Sequence, residues 1–248
     1  MCTTCPRPVH DLAIMGSMIT PGVQALPQYT LKEAPYSSHS LLLGALPAEG
    51  HSLRVLDVGC ASGYLSAILA GRGFQVTAID RYGIPPPPGA EFIHADLDDG
   101  LPPLSQAFDY IVCADVLEHL RDPLRMLRDC AGRLAPGGAL ILSLPNSGHW
   151  YFRWNVLLGR FPQHDRGLFD RTHLHFYPWD GWVDLLHRAG FQIEFADCAA
   201  VPIGLALPRW EGSPPVRAME RISYLAARVW KRLFAYQFIV RARMGRSQ

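Results

Sequence analysis

An α/β fold with a doubly wound sheet is predicted by three observations. The apolar run Arg54-Val55-Leu56-Asp57-Val58 breaks into the small residues Gly59-Cys60-Ala61-Ser62-Gly63, and residues 65–70 follow at helical spacing. A second apolar run, residues 74–79, closes on the acidic Asp80, about 20 residues after Gly59. Strand-like and helix-like segments then alternate as far as Leu144, the pattern of strands joined by crossovers.

The first strand, its turn and its helix form the unit around which the chain is organised. Such a turn cradles a nucleotide or phosphate because bulky side chains there would hold the ligand away from the backbone N–H groups and the helix N-terminus. A dinucleotide fingerprint, G-x-G-x-x-G, is not met, since Ala61 and Tyr64 stand at the second and third glycine positions. A nicotinamide oxidoreductase is therefore a distant reading. Asp80 at the end of the second strand suits paired ribose hydroxyls, because an ionised carboxylate only accepts hydrogen bonds.

Composition narrows the choice further. With 248 residues the chain has room for one α/β domain with appendages, and a net charge of +1 makes no general electrostatic claim on nucleic acid. Six cysteines are scattered, and Cys60 and Cys113 sit in buried-looking positions that suit free thiols in a reducing compartment. Cys2 and Cys5 form a CxxC pair near His10, but no second pair follows at zinc spacing, so no metal site is expected. No apolar run reaches the roughly 18 residues of a membrane span, and the N-terminus lacks the pattern of a signal peptide. The expected location is the cytoplasm.

In chain order, residues 1–34 read as a loose arm and 35–248 as the folded domain. Residues 36–46 read as a helix between Pro35 and Pro47. The proline run at 85–88 leaves the second crossover without its usual helix. Residues 91–95 form a third strand ending at Asp96-Leu97, and residues 108–114 a fourth ending at Asp115. Asp122 caps a helix with Pro123 at its first position, and Leu124, Leu127, Ala131 and Leu134 make its apolar stripe. Ala135-Pro136-Gly137-Gly138 ends that helix before a fifth strand at 139–144. After an aromatic stretch at 145–177, residues 178–189 read as a helix stopped by Gly190, 191–199 as a sixth strand and 235–242 as the closing one.

Several motifs together resemble class I S-adenosylmethionine-dependent methyltransferases: Asp57-Val-Gly59-Cys-Ala61-Ser-Gly63, the acid at Asp80, the run FDYIVCADVLEHLRDP and the LxPGG turn, in that order over residues 53–144. Ala61 stands where that family usually has its central glycine. The resemblance implies a Rossmann-like seven-stranded sheet, mostly parallel with an antiparallel last strand, an aromatic substrate cap at 145–177 and a helical insertion at 201–234. The implied cofactor is S-adenosyl-L-methionine, with Tyr36, Asp57, Gly59, Cys60, Ala61, Gly63, Asp80, Arg81, Asp96, Leu97 and Asp115 as candidate cofactor contacts. For each there is a plainer reading: Tyr36 packing on the sheet, Asp96 capping a turn.

The segment from Gly167 to Phe176 resembles a stretch found in a branch that includes quinone-biosynthesis O-methyltransferases. An oxygen acceptor would need a base, and His119 and His173 are the candidates; either could instead be structural. The expected activity is methyl transfer to a small molecule, with a lipid-like acceptor left open. The alternative is a non-catalytic protein that kept the fold. No nucleic-acid partner is expected. Residues 216–234 are amphipathic, and from Arg217 onward there are eight basic residues against one acid, Glu220. A helix packed on the domain with a solvated basic face is the favoured expectation, and peripheral membrane contact the other.

Overall fold

The structure, a computed structural model, describes residues 34–83 and 87–245. The expected arm up to residue 33, with Cys2 and Cys5, and part of the proline link lie outside them. A seven-stranded sheet carries the domain in the order β3-β2-β1-β4-β5-β7-β6. The strands are β1 (Arg54–Val58), β2 (Gln75–Asp80), β3 (Ala90–His94), β4 (Phe108–Ala114), β5 (Leu134–Pro145), β6 (Phe191–Ala199) and β7 (Gln237–Met244). Pairings from β3 to β5 are parallel, and β7 runs antiparallel between β5 and β6.

β1 and β2 are buried over nearly their whole length, and β4 over its central Ile111–Cys113, which is why each reads as an apolar run. Helices α1 (Ser38–Gly44), α2 (Tyr64–Gly71), α3 (Pro123–Ala131) and α5 (Trp179–Arg188) are joined by α4 (Trp150–Leu157), α6 (Ile203–Ala206), α7 (Pro214–Val229) and α8 (Lys231–Phe234). The core divides across the sheet. On one side Leu56, Ile111, Leu127, Trp182 and Phe238 pack together, and on the other Leu42, Val55, Leu69, Val112 and Ile239. Cys60, Cys113, Cys130 and Cys198 are free and buried.

Three sequence expectations are corrected here. Leu134 belongs to β5 and not to the stripe of α3, which ends at Ala131 with Gly132 as its cap. The Ala135-Pro136-Gly137-Gly138 turn is a bulge inside β5, where the pairing to β4 slips between Phe108 and Tyr110. The apolar segment 216–234 is not one helix. It breaks at Trp230, whose φ of −140° and ψ of 76° separate α7 from α8.

Candidate active site

The sheet reverses its order between β1 and β4, and the turns after these strands meet there, the place where open α/β sheets bind ligands. Gly59 sits under Val116: a Cβ at Gly59, with φ +74°, would lie 2.5 Å from Val116 Cγ2. The first glycine of the turn is thus required by the close approach of the β4 turn. Ala61 holds φ +47° although it is not glycine, a left-handed conformation that costs an alanine about 1–2 kcal/mol. Asp80 secures it. Its Oδ2 accepts the Ala61 N–H at 2.8 Å and its Oδ1 the Tyr82 N–H at 2.9 Å.

Each carboxylate oxygen of Asp80 has a second lone pair, so the group can hold the turn and still accept from a pair of vicinal hydroxyls. An acceptor-only carboxylate above a turn of small residues is the donor–acceptor set that a ribose requires, and these residues fit the nucleoside half of S-adenosylmethionine. Asp57 lies beneath the turn, buried, and accepts the Ser66 hydroxyl at 2.5 Å. Burial raises its pKa to about 6, a shift the Ser66 hydrogen bond opposes and the Asp80 charge increases. Burial beside Asp57 and Asp80 also pushes the Cys60 thiol far up, leaving it a neutral packing group.

The remaining predicted contacts are dispersed. Asp96 is exposed and caps a short 3-10 turn at Leu97–Asp99 by accepting the Asp98 N–H at 3.0 Å, while Leu97 is buried in the core. The Arg81 guanidinium lies 5.2 Å from the centre of the Tyr82 ring. Asp115, at φ +56°, accepts from Ser143 Oγ and, at 2.8 Å, from Gln237 Nε2, tying β4 to β5 and β7. Tyr36 stacks on Tyr224 of α7, ring centres 4.5 Å apart.

The second cluster joins the turn after β4 to the segment before α5. The Leu174 and His175 N–H groups donate to the Glu118 carbonyl at 2.8 and 3.2 Å, and His175 Nε2 contacts the Leu120 carbonyl at 2.9 Å. This docking brings the rings of His119 and His173 to 4.7 Å, edge to face. Asp170 Oδ1 accepts the Thr172 hydroxyl at 2.6 Å and the Thr172 N–H at 2.8 Å. Thr172 Oγ1 in turn lies 3.0 Å from His119 Nδ1, and the Thr172 carbonyl lies 3.2 Å from the same nitrogen.

These contacts assign a tautomer. The one hydroxyl proton of Thr172 goes to the acceptor-only Asp170, so Oγ1 can only accept from His119. A carbonyl likewise only accepts. Nδ1 of His119 therefore carries a proton, and in the neutral ring the lone pair lies on Nε2. His173 differs. Burial, followed by the neighbouring His119, lowers its pKa to about 4, and its Nδ1 is buried without a hydrogen-bond partner. Its Nε2 lies 3.9 Å from Glu118 Oε1. Glu118, His119 and His173 offer ligand atoms within 4.8 Å of one another, a grouping that could hold a metal ion. Sequence reasoning did not bring these three together and gave Asp170, Thr172 and Gln237 no role, although Asp170, Thr172 and His173 lie in the Gly167–Phe176 stretch singled out by its resemblance.

Known proteins share the family and the fold. A family model described as a methyltransferase domain matches residues 29–194. The ubiquinone biosynthesis O-methyltransferase of Xanthomonas axonopodis pv. citri (strain 306) is 30% identical over 186 residues, 70% of this chain and 74% of that one. Its counterpart in Xanthomonas campestris pv. campestris (strain B100) is 38% identical over 103 residues, 38% of this chain, and the match spans only 43% of that protein's length. An S-adenosylmethionine dependent methyltransferase structure from Mesorhizobium loti superposes with a TM-score of 0.54 at 21% identity, covering 82% of this chain and 95% of that one, a likeness of fold. By the family match and the ordered strand-end residues together, the chain belongs to the class I S-adenosylmethionine-dependent methyltransferases.

Proposed function

We propose that the protein methylates an oxygen atom of a small, lipid-like acceptor, with His119 as the general base. The observation that carries this reading is the Asp170–Thr172–His119 chain, which selects the neutral tautomer with the proton on Nδ1 and the lone pair on Nε2. S-adenosylmethionine, when bound, supplies an electrophilic methyl group, and the products are the methylated acceptor and S-adenosylhomocysteine. Asp80 and the Gly59–Gly63 turn would hold the nucleoside. His119 Nε2 takes the hydroxyl proton as the oxygen becomes nucleophilic, and the charge that develops on the imidazole is shared through Nδ1–H with Thr172 and Asp170. His173, nearly neutral at pH 7 by its depressed pKa, is a positioning residue that packs edge-on against His119.

An oxygen acceptor is supported by the relatives named as ubiquinone biosynthesis O-methyltransferases. A lipid-like one is supported by the aromatic stretch after β5. There Phe152, Phe161, Phe169 and Phe176 form a ring cluster beside the exposed Trp150 and Trp154. We take this stretch as the cap over the acceptor. Peripheral membrane contact through residues 216–234 accords with the same reading.

The test is turnover on hydroxylated aromatic acceptors. His119→Ala lowers it by about 10²–10⁴-fold with unchanged affinity for S-adenosylhomocysteine. Thr172→Val lowers it less, and Thr172→Ser restores it. Unchanged turnover in His119→Ala would remove the base. Turnover abolished by a chelator would reassign Glu118, His119 and His173 to a metal ion.

A further inference from the structure

We infer that α7 is a docking helix for an anionic lipid bilayer. Its inner face is fixed to the domain. Val216, Glu220 and Ala227 are buried, and Glu220 Oε1 accepts the Gly204 N–H at 3.1 Å. Ser223 Oγ accepts the Val201 N–H at 3.1 Å, and the Tyr224 hydroxyl donates to Asp197 at 3.2 Å. At about 100° per residue, Met219 lies on the flank away from the arginines, and Ile222, Leu225 and Val229 lie on the opposite face. These are 49%, 66%, 52% and 89% exposed, and Trp230 just past the last turn is 57% exposed. A soluble helix turns such a stripe inward. Here the stripe points away from the core.

The charges say what covers it. Arg217, Arg221 and Arg228 are exposed and lie along one flank of the stripe, whereas in α8 Lys231 lies over the Trp179 ring and Arg232 pairs with Asp180. The only acid between residues 214 and 234 is Glu220, which lies on the buried face. The outer surface of this segment is therefore apolar and basic, without a carboxylate. A second copy of the chain would set arginines against arginines. An anionic bilayer takes both features at once: the apolar side chains enter the acyl boundary, the guanidinium groups meet phosphates, and a Trp sits at the headgroup level. Among the described residues no helix is long and apolar enough to cross a membrane, so the contact is with the surface. Docking here does not depend on the methyl-transfer reading, and the two can fail separately.

The test is flotation of the full chain with vesicles of phosphatidylcholine alone and of phosphatidylcholine mixed with phosphatidylglycerol. The chain should float with the mixed vesicles, stay behind with the neutral ones, and lose binding as salt is raised. Ile222→Asp with Val229→Asp should abolish flotation. Arg217→Glu with Arg221→Glu should weaken it about tenfold or more. Both double variants should keep the wild-type circular dichroism and affinity for S-adenosylhomocysteine. Absence of flotation by the wild-type chain would overturn the inference. So would equal flotation of all variants, or self-association that Val229→Asp abolishes without any vesicle binding.

Discussion

Helices α3 and α7 share a two-faced pattern and bury different parts of it. Each segregates leucines and other apolar residues from arginines along its length. In α3 the apolar residues Met126, Leu127 and Cys130 are almost wholly buried against the sheet. In α7 the larger apolar residues face outward, and the inner face is held by Val216, Ala227 and the polar contacts of Glu220, Ser223 and Tyr224. The helix is packed on the domain with a solvated basic face, as the favoured expectation had it, but it packs through Val216, Ala227 and polar contacts and not through its larger apolar residues. Periodicity tells that a helix is two-faced. It does not tell which face the rest of the molecule covers, because that is decided by where the connections put the helix.

The largest effect that sharpens this contrast is on stability. Leu127→Ala should cost about 2–5 kcal/mol, as a buried side chain leaving a cavity, whereas Leu225→Ala should stay within about 0.5 kcal/mol. Urea unfolding of the two variants measures both. Equal losses would mean that α7 is packed as α3 is, and the outward stripe would be lost with it.

A second contrast sets Asp57, under the first turn, against His149, at the start of α4, and His173, before α5. Asp57 is raised to about 6, so the folded protein keeps a proton that the unfolded chain releases, and stability falls as pH rises from about 4 to 6. His149 and His173 are each lowered to about 4, His149 by burial and His173 by burial and then by His119. The unfolded chain therefore binds their protons first, and stability is lost as pH falls from about 6.5 to 4. At about 1.4 kcal/mol per pKa unit, each histidine contributes about 3 kcal/mol and Asp57 offsets roughly one of them. The net expectation is lower stability at pH 4.5 than at pH 7, with a shallower slope in His173→Gln. A protein more stable at pH 4.5 would show that Asp57 dominates.

The two halves also differed in how far the sequence could be read. The bounds of β1, β4 and β6 follow from apolar runs closed by small or polar residues, and Asp122 with Pro123 marks the start of α3. These are local signals. The misplacement of Leu134 came from reading the proline-glycine turn as an end, when a bulge lets β5 begin before it. Tyr36 on Tyr224, and Thr172 on His119, are contacts between distant segments, and nothing in a single sequence fixes such partners. The turn after β1 and the position of Asp80 were legible because strand ends mark them. The relay behind His119 was not, because it depends on how the segment before α5 docks on the turn after β4.

The most direct measurement is calorimetric titration of S-adenosylhomocysteine into the wild-type chain and into Asp80→Asn. The carboxylate that holds the Ala61 turn is also the group assigned to the ribose, so the account predicts saturable binding that weakens about 10- to 100-fold in the variant. No binding to the wild-type chain, or the same affinity in both, would contradict it.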